Sequence, residues 1–175
     1  MPEIERGLRL LAEHKVDCVI VGGVAAGAHG SSQGTVDVDV CYARDTENLK
    51  RLAEALRSVN ATLRGAPKGI PFLLDDETLR RGLNFTFETD IGDLDILGEV
   101  RGVGRYAECL ENSAQIEVFE HRFHVLSLEK LIDSKRAAGR TKDLLVLPEL
   151  EAILEYERAR EGLPEADSTE TKAQS

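Results

Sequence analysis

Residues 36–40 read Val-Asp-Val-Asp-Val, and a glycine pair, Gly22-Gly23, lies a short way upstream. Strict alternation of this kind fits a strand and no helix. Side chains on a strand point to opposite faces in turn, so Asp37 and Asp39 share one face while Val36, Val38 and Val40 share the other. Two carboxylates set side by side repel, and burying them without compensation is costly. A divalent cation between them removes the repulsion and gives the spacing a purpose. The plain alternative is an exposed edge with solvated acids. The upstream glycines and a second acidic strand, Asp93-Leu94-Asp95-Ile96-Leu97, weigh against it.

The rest of the chain supplies elements to pack around that strand. Ile4, Leu8 and Leu11 fall at helical spacing, which predicts an amphipathic helix ending near His14. Residues 18–21 form an apolar run typical of a buried strand, and Gly22-Gly23 turns it into a short helix over 24–28. The acidic strand spans 36–41. Asp45 is placed to cap a helix in which Leu49, Leu52, Ala53 and Leu56 share a face. A short edge strand is expected within 59–63 and a loop over 67–71. Strands at 83–87 and 93–97 join through a turn at 90–92. A short helix at 106–110 precedes a hairpin, 115–119 with 123–126, turning at 120–122. Ser127 caps a helix that runs to Ala138 and stops at Gly139. Thr141 is placed to cap another, which Pro148 either interrupts or restarts, carrying Leu150, Ile153, Leu154 and Tyr156. The expected fold is α/β (α+β): a small mixed sheet packed by helices, with a helical C-terminal part.

At 175 residues the chain suits one domain with a small helical appendage. Its net charge of −10 weighs against a general nucleic-acid coat, although an enzyme can still grip one nucleic-acid end locally. Residues 163–175 are polar and expected to be disordered. No run is long and apolar enough to span a bilayer, and the acidic N-terminus lacks the pattern of a signal peptide, so a cytoplasmic protein with no membrane partner is expected. Cys18 and Cys41 sit in apolar strand-like runs and read as core thiols. With Cys109 they support neither a disulfide framework nor a zinc site.

Three pieces carry chemistry. Gly22-Gly23, between a buried strand and a helix, offers backbone amides to an anion with no side chain in the way; a simple tight turn is the alternative. Asp37 and Asp39 follow. Asp95, in apolar company, needs a partner; Asp93 shares its face and is its rival, and Asp95 is preferred for its more strand-like surroundings. Magnesium favours oxygen ligands and bridges carboxylates to phosphates. Three carboxylates beside a phosphate-holding turn suit two-metal phosphoryl or nucleotidyl transfer, with two magnesium ions expected. The glycines of 23–30 lack Gly-x-Gly-x-x-Gly spacing, and no Gly-Lys-Ser/Thr follows, which excludes dinucleotide and P-loop readings.

Val21-Gly22-Gly23-Val24-Ala25-Ala26-Gly27-Ala28-His29-Gly30 followed by Gly34-Thr35-Val36-Asp37-Val38-Asp39-Val40 resembles the nucleotidyltransferase superfamily that includes polymerase beta. The nearer likeness is to the minimal nucleotidyltransferases and the AbiEii-like toxins. Asp93-Leu94-Asp95-Ile96-Leu97 matches the third acid, and residues 126–135 and 138–143 match the C-terminal segment of the AbiEii-like enzymes. The resemblance spans roughly 16–147. It implies Asp37, Asp39 and Asp95 as catalytic groups and metal ligands, and Gly22, Gly23, Thr35, Lys135, Arg140 and Lys142 at the nucleotide. For the last three, a solvated basic face or helix C-terminal dipole partners are the alternative; Asp143 reads as a salt-bridge partner or a first-turn helix acid, and His29 as a structural residue at a helix end. The implied organisation is a nucleotidyltransferase-like domain over 1–147, a helix over 148–162, and the tail.

The activity so implied is magnesium-dependent transfer of a nucleoside monophosphate from a nucleoside triphosphate to an acceptor hydroxyl. The acceptor would be a tRNA or protein, with a cognate antitoxin as partner. Gly23 and Gln33 stand where many relatives carry Ser and Arg. Their weaker phosphate contacts keep a non-catalytic nucleotide- or partner-binding module as an alternative. A third reading is small-molecule modification of the aminoglycoside type, whose cationic acceptor an acidic pocket would suit.

Overall fold

The computed structural model describes residues 3–162 except 68 and 70. The chain runs α1 (Glu3–Glu13), β1 (Cys18–Val21), α2 (Gly22–Ala28), β2 (Asp37–Tyr42), α3 (Thr46–Ser58), β3 (Thr62–Leu63) and α4 (Asp76–Arg81). It continues through β4 (Asn84–Thr89), β5 (Gly92–Leu97), β6 (Glu99–Val100), β7 (Gly104–Arg105), α5 (Tyr106–Glu111), β8 (Ser113–Val118), β9 (His121–Leu126), α6 (Leu128–Ala138) and α7 (Thr141–Glu161). Seven strands form one mixed sheet in the order β3-β4-β5-β2-β1-β9-β8, and β6 pairs with β7 apart from it. The expected mixed sheet packed by helices is what forms. The tail expected to be disordered lies outside the described residues, as does part of the 67–71 loop.

The ladder explains the burial pattern. Residues paired across neighbouring strands share a face. Val38 pairs with Leu94 and Val40 with Ile96 across the parallel β2–β5 pair, and Leu94 and Ile96 pair in turn with Phe87 and Phe85 of β4. This apolar face lies under α1, which comes close because Gly7 has no side chain. A Cβ there would stand 3.1 Å from Val38 and Leu94 side-chain atoms. The other face of the same two strands carries the acids. Cys18 and Cys41 are buried free thiols, as expected of core residues, and Cys109 is a third.

Capping follows the sequence in two places. Asp45 accepts from the Asn48 amide at 3.0 Å, and Ser127 accepts from that of Lys130 at 3.4 Å while Gly139, at φ 64°, closes α6. Three expectations need correction. The β8–β9 hairpin turns on Phe119 and Glu120, with φ 49° and 64°, and not on 120–122. A two-residue turn in the left-handed region matches the twist of antiparallel strands, so β9 begins already at His121. Thr141 is the first residue of α7 and not its cap; Arg140 holds the cap position without a side-chain bond.

Pro148 neither interrupts nor starts a helix: α7 continues through it, so a boundary at 147/148 falls inside one helix. Proline leaves the carbonyl four residues earlier without its donor. Here that carbonyl belongs to Leu144, and both residues lie on the exposed side, where water can satisfy it. Val146, Leu147 and Leu150 on the other side are buried and hold the helix in place. Helix α4 was not anticipated, although its signal is in the sequence: Asp75 caps it, accepting from the Thr78 amide at 2.8 Å. No helix among the described residues is long and apolar enough to cross a membrane.

Candidate metal centre

The acidic cluster is a product of register. Strands β2 and β5 run parallel, with Asp37 opposite Asp93 and Asp39 opposite Asp95. Four carboxylates therefore rise from one face of two adjacent strands. Asp37, Asp39 and Asp95 offer ligand oxygens that all lie within 4.8 Å of one another. Asp93 stands outside that trio. Burial, helped by the charges of Asp37 and Asp95, pushes the Asp39 carboxyl up to about 6, against weaker relief from Lys135 and the Gly23 amide. Burial also raises Asp95, opposed by Arg64. A donor set made only of carboxylate oxygens, with repulsion still unrelieved, suits a hard divalent cation.

The glycine pair has a steric reason to be glycine. Gly22 sits at φ +62°, and a Cβ there would fall 2.2 Å from Asp39 Oδ2. A Cβ on Gly23 would come 2.6 Å from Thr35 Cβ. The turn is shaped around the Asp39 carboxylate, with no side chain between backbone and acid. Thr35 donates its hydroxyl to Asp37 Oδ1 at 2.8 Å and so orients the first acid.

A cavity of about 550 Å³ opens over the acids, within the range of small-molecule sites. Gly22, Gly23, Gln33 and Thr35 line it on one side. Lys135, Arg140 and Lys142, the cations expected at the nucleotide, line another. Two of the three are already paired. Lys135 Nζ lies 3.0 Å from Asp143 Oδ1 and Arg140 Nε 2.5 Å from Asp143 Oδ2, with the Asp143 side chain only 1% exposed. Burial pushes Asp143 up, but hydrogen bonds from Arg140 and Lys135 more than offset it and hold the carboxyl below its ordinary value. Asp143 is thus the salt-bridge partner expected of it, and it fixes the cations at the cavity wall. Among the described residues, no ion pair involves Lys142.

Replacing Asp143 by Asn is expected to destabilise the protein by about 3 kcal/mol, because it strands the half-buried Lys135. The exposed Arg140 adds little to that figure. Urea unfolding at neutral pH measures it. A carboxyl held below its unfolded value contributes stability above the ordinary Asp range and loses it as pH falls below roughly 4. The difference between the two proteins should therefore shrink in acid.

Two contributors escaped the sequence reading. Arg64 follows β3 and places its guanidinium 2.8 Å from Asp95 Oδ1 and 3.2 Å from Asp93 Oδ2. The only signal for it was the need of two neighbouring acids for a cation, which names no residue. Glu149 of α7 clasps the loop that leads into β2. It accepts from the Ser31 hydroxyl at 2.6 Å and from the Ser32 amide and hydroxyl at 2.8 and 2.7 Å. His29, at the start of that loop, has its Nε2 2.7 Å from the Leu126 carbonyl, in the structural role expected of it.

No family model and no curated protein matches the sequence. Solved structures do. A Thermotoga maritima protein assigned as a nucleotidyltransferase, TM1012, superposes with a TM-score of 0.49 at 17% identity, covering 91% of this chain and 97% of that one. The antibiotic-resistance factor ANT(2'')-Ia superposes with a TM-score of 0.51 at 17% identity, covering 91% of each chain. At that identity the likeness to ANT(2'')-Ia is one of fold alone.

Proposed function

We propose that this chain is a magnesium-dependent nucleotidyltransferase, moving a nucleoside monophosphate from a triphosphate to an acceptor hydroxyl. The observation that carries the reading is the convergence of Asp37, Asp39 and Asp95 at the floor of a cavity with cations on its wall. Asp37, steadied by Thr35, and Asp39, seated over Gly22, are the groups to hold magnesium. Bound there, magnesium would neutralise the triphosphate and make the acceptor hydroxyl more acidic.

The chain's own residues do the rest. Asp95, whose carboxyl burial raises above its ordinary value, takes the proton of the attacking hydroxyl. The acceptor oxygen bonds to the α-phosphorus as the bond to the β-phosphate oxygen breaks, and pyrophosphate leaves. Lys135 and Arg140, held in place by Asp143, offset the charge of the polyphosphate. Gln33 contributes no charge, so nucleotide affinity should be modest.

The acceptor we favour is a tRNA or a protein side chain, in a toxin-like role with a cognate antitoxin. A second reading, transfer to a cationic small molecule, has one observation in its favour: Glu99 joins the three acids along the cavity. Incubation with each α-labelled triphosphate, magnesium, and in turn total tRNA, cell extract or an aminoglycoside tests both. Label is expected in one acceptor class. Label in none, with nucleotide still bound, would favour a binding module.

A further inference from the structure

We propose that Arg64 is a positioning residue that occupies Asp95 as a built-in cation, making the two halves of the metal centre unequal before substrate arrives. The inference rests on the metal reading above and deepens it. Arg64 is anchored at its root, its amide donating to the Thr86 carbonyl at 2.9 Å. Its Nη2 donates to Asp95 Oδ1 at 2.8 Å and, less closely, to the Phe87 carbonyl at 3.3 Å. Its Nε lies 3.2 Å from Asp93 Oδ2, but is buried without a hydrogen-bond acceptor in line. That contact is therefore one of charge, and the fork is aimed at Asp95.

The consequence is an asymmetric charge distribution. Asp95 and Asp93 share a guanidinium, while Asp37 and Asp39 enter no ion pair among the described residues. Asp37 and Asp39 would hold a first divalent cation without the loss of any ion pair among the described residues. A second, leaning on Asp95, meets a positive charge already hydrogen-bonded to that carboxylate and must push it aside. The Arg64 side chain is one-third exposed, and Asp93 offers it a resting place when it releases Asp95. A bound triphosphate adds negative charge and tips this exchange towards the metal. Arg64 thereby sets the order of assembly: first cation, then nucleotide, then second cation.

The test is manganese(II) binding without nucleotide, followed by calorimetry and by the electron paramagnetic resonance of the free ion, with thermal unfolding as a check of fold. The native protein is expected to bind one ion, with a second only at far higher concentration. In Arg64→Gln the second event should move to about ten- to a hundredfold lower concentration, the worth of a lost charge-assisted hydrogen bond. Arg64→Lys keeps the charge without the fork and should fall between the two; it carries the test if the glutamine variant does not fold. Two identical binding curves, native and variant, overturn the role of Arg64 and leave the metal centre standing. No manganese bound by either protein removes the metal centre and this inference with it.

Discussion

Replacing Asp39 by Asn should make the metal-free protein more stable by about 2 kcal/mol and at the same time cancel most of its stabilisation by magnesium. The Asp39 carboxyl stands at about 6 in the folded chain against an ordinary value near 3.8. Two units correspond to nearly 3 kcal/mol, reduced somewhat because the carboxylate is not fully enclosed. The sign follows from proton counting. Between the ordinary value and about 6 the folded state holds a proton that the unfolded state has lost, so stability falls as pH rises through that window. At neutral pH the folded protein carries the whole penalty. Asparagine removes it, and the downward slope between pH 4 and 6 should flatten, leaving the share of Asp95, which burial also raises. A cation that binds only the native state restores stability in the native sequence. In Asp37→Asn, Asp39→Asn together it should have no effect. Thermal unfolding with and without magnesium or manganese reads both results. An unchanged metal response in the double variant would place the site elsewhere.

The second large effect separates Asp95 from Asp93. Asp95→Asn is expected to keep triphosphate binding yet lower single-turnover transfer by a factor of about 10³ or more, because both the proton acceptor and a metal ligand are lost. Asp93→Asn should cost roughly tenfold or less. Asp93 lies outside the converging trio, and its side-chain ion pair is with Arg64. The reverse ranking would overturn the choice of third acid while leaving the reaction class in place.

These assignments show how far the sequence alone reaches. Alternation places Asp37 and Asp39 on one face, and the apolar residues between them go to the core, because a period of two leaves no other choice on a half-buried strand. The caps at Asp45 and Ser127 and the stop at Gly139 were equally legible, since each rests on one local hydrogen bond or one backbone angle. What local pattern does not carry is register across the sheet. The acids at 93 and 95 are equivalent in their own strand. The parallel pairing of β5 with β2 sets Asp95 beside Asp39 and Asp93 beside Asp37, and of the two only Asp95 joins the converging trio.

The same limit hides Arg64, which meets Asp95 across a distance of 31 residues in the chain. It also conceals the prior engagement of Lys135 and Arg140 by Asp143. Helix α7 fails local prediction for another reason. The propensity of Pro148 to break a helix is overridden by the burial of Val146, Leu147 and Leu150 on the opposite side.

The central claim is that three carboxylates and a divalent cation carry out nucleotidyl transfer in this cavity. Pyrophosphate release in the presence of magnesium, mixed nucleoside triphosphates and cell extract tests it most directly, measured for the native chain and for Asp37→Asn, Asp39→Asn and Asp95→Asn. Release by the native chain, lost with chelation of magnesium and lost in each of the three variants, is the predicted result. Triphosphate binding without any release, or release that survives all three substitutions, would contradict it.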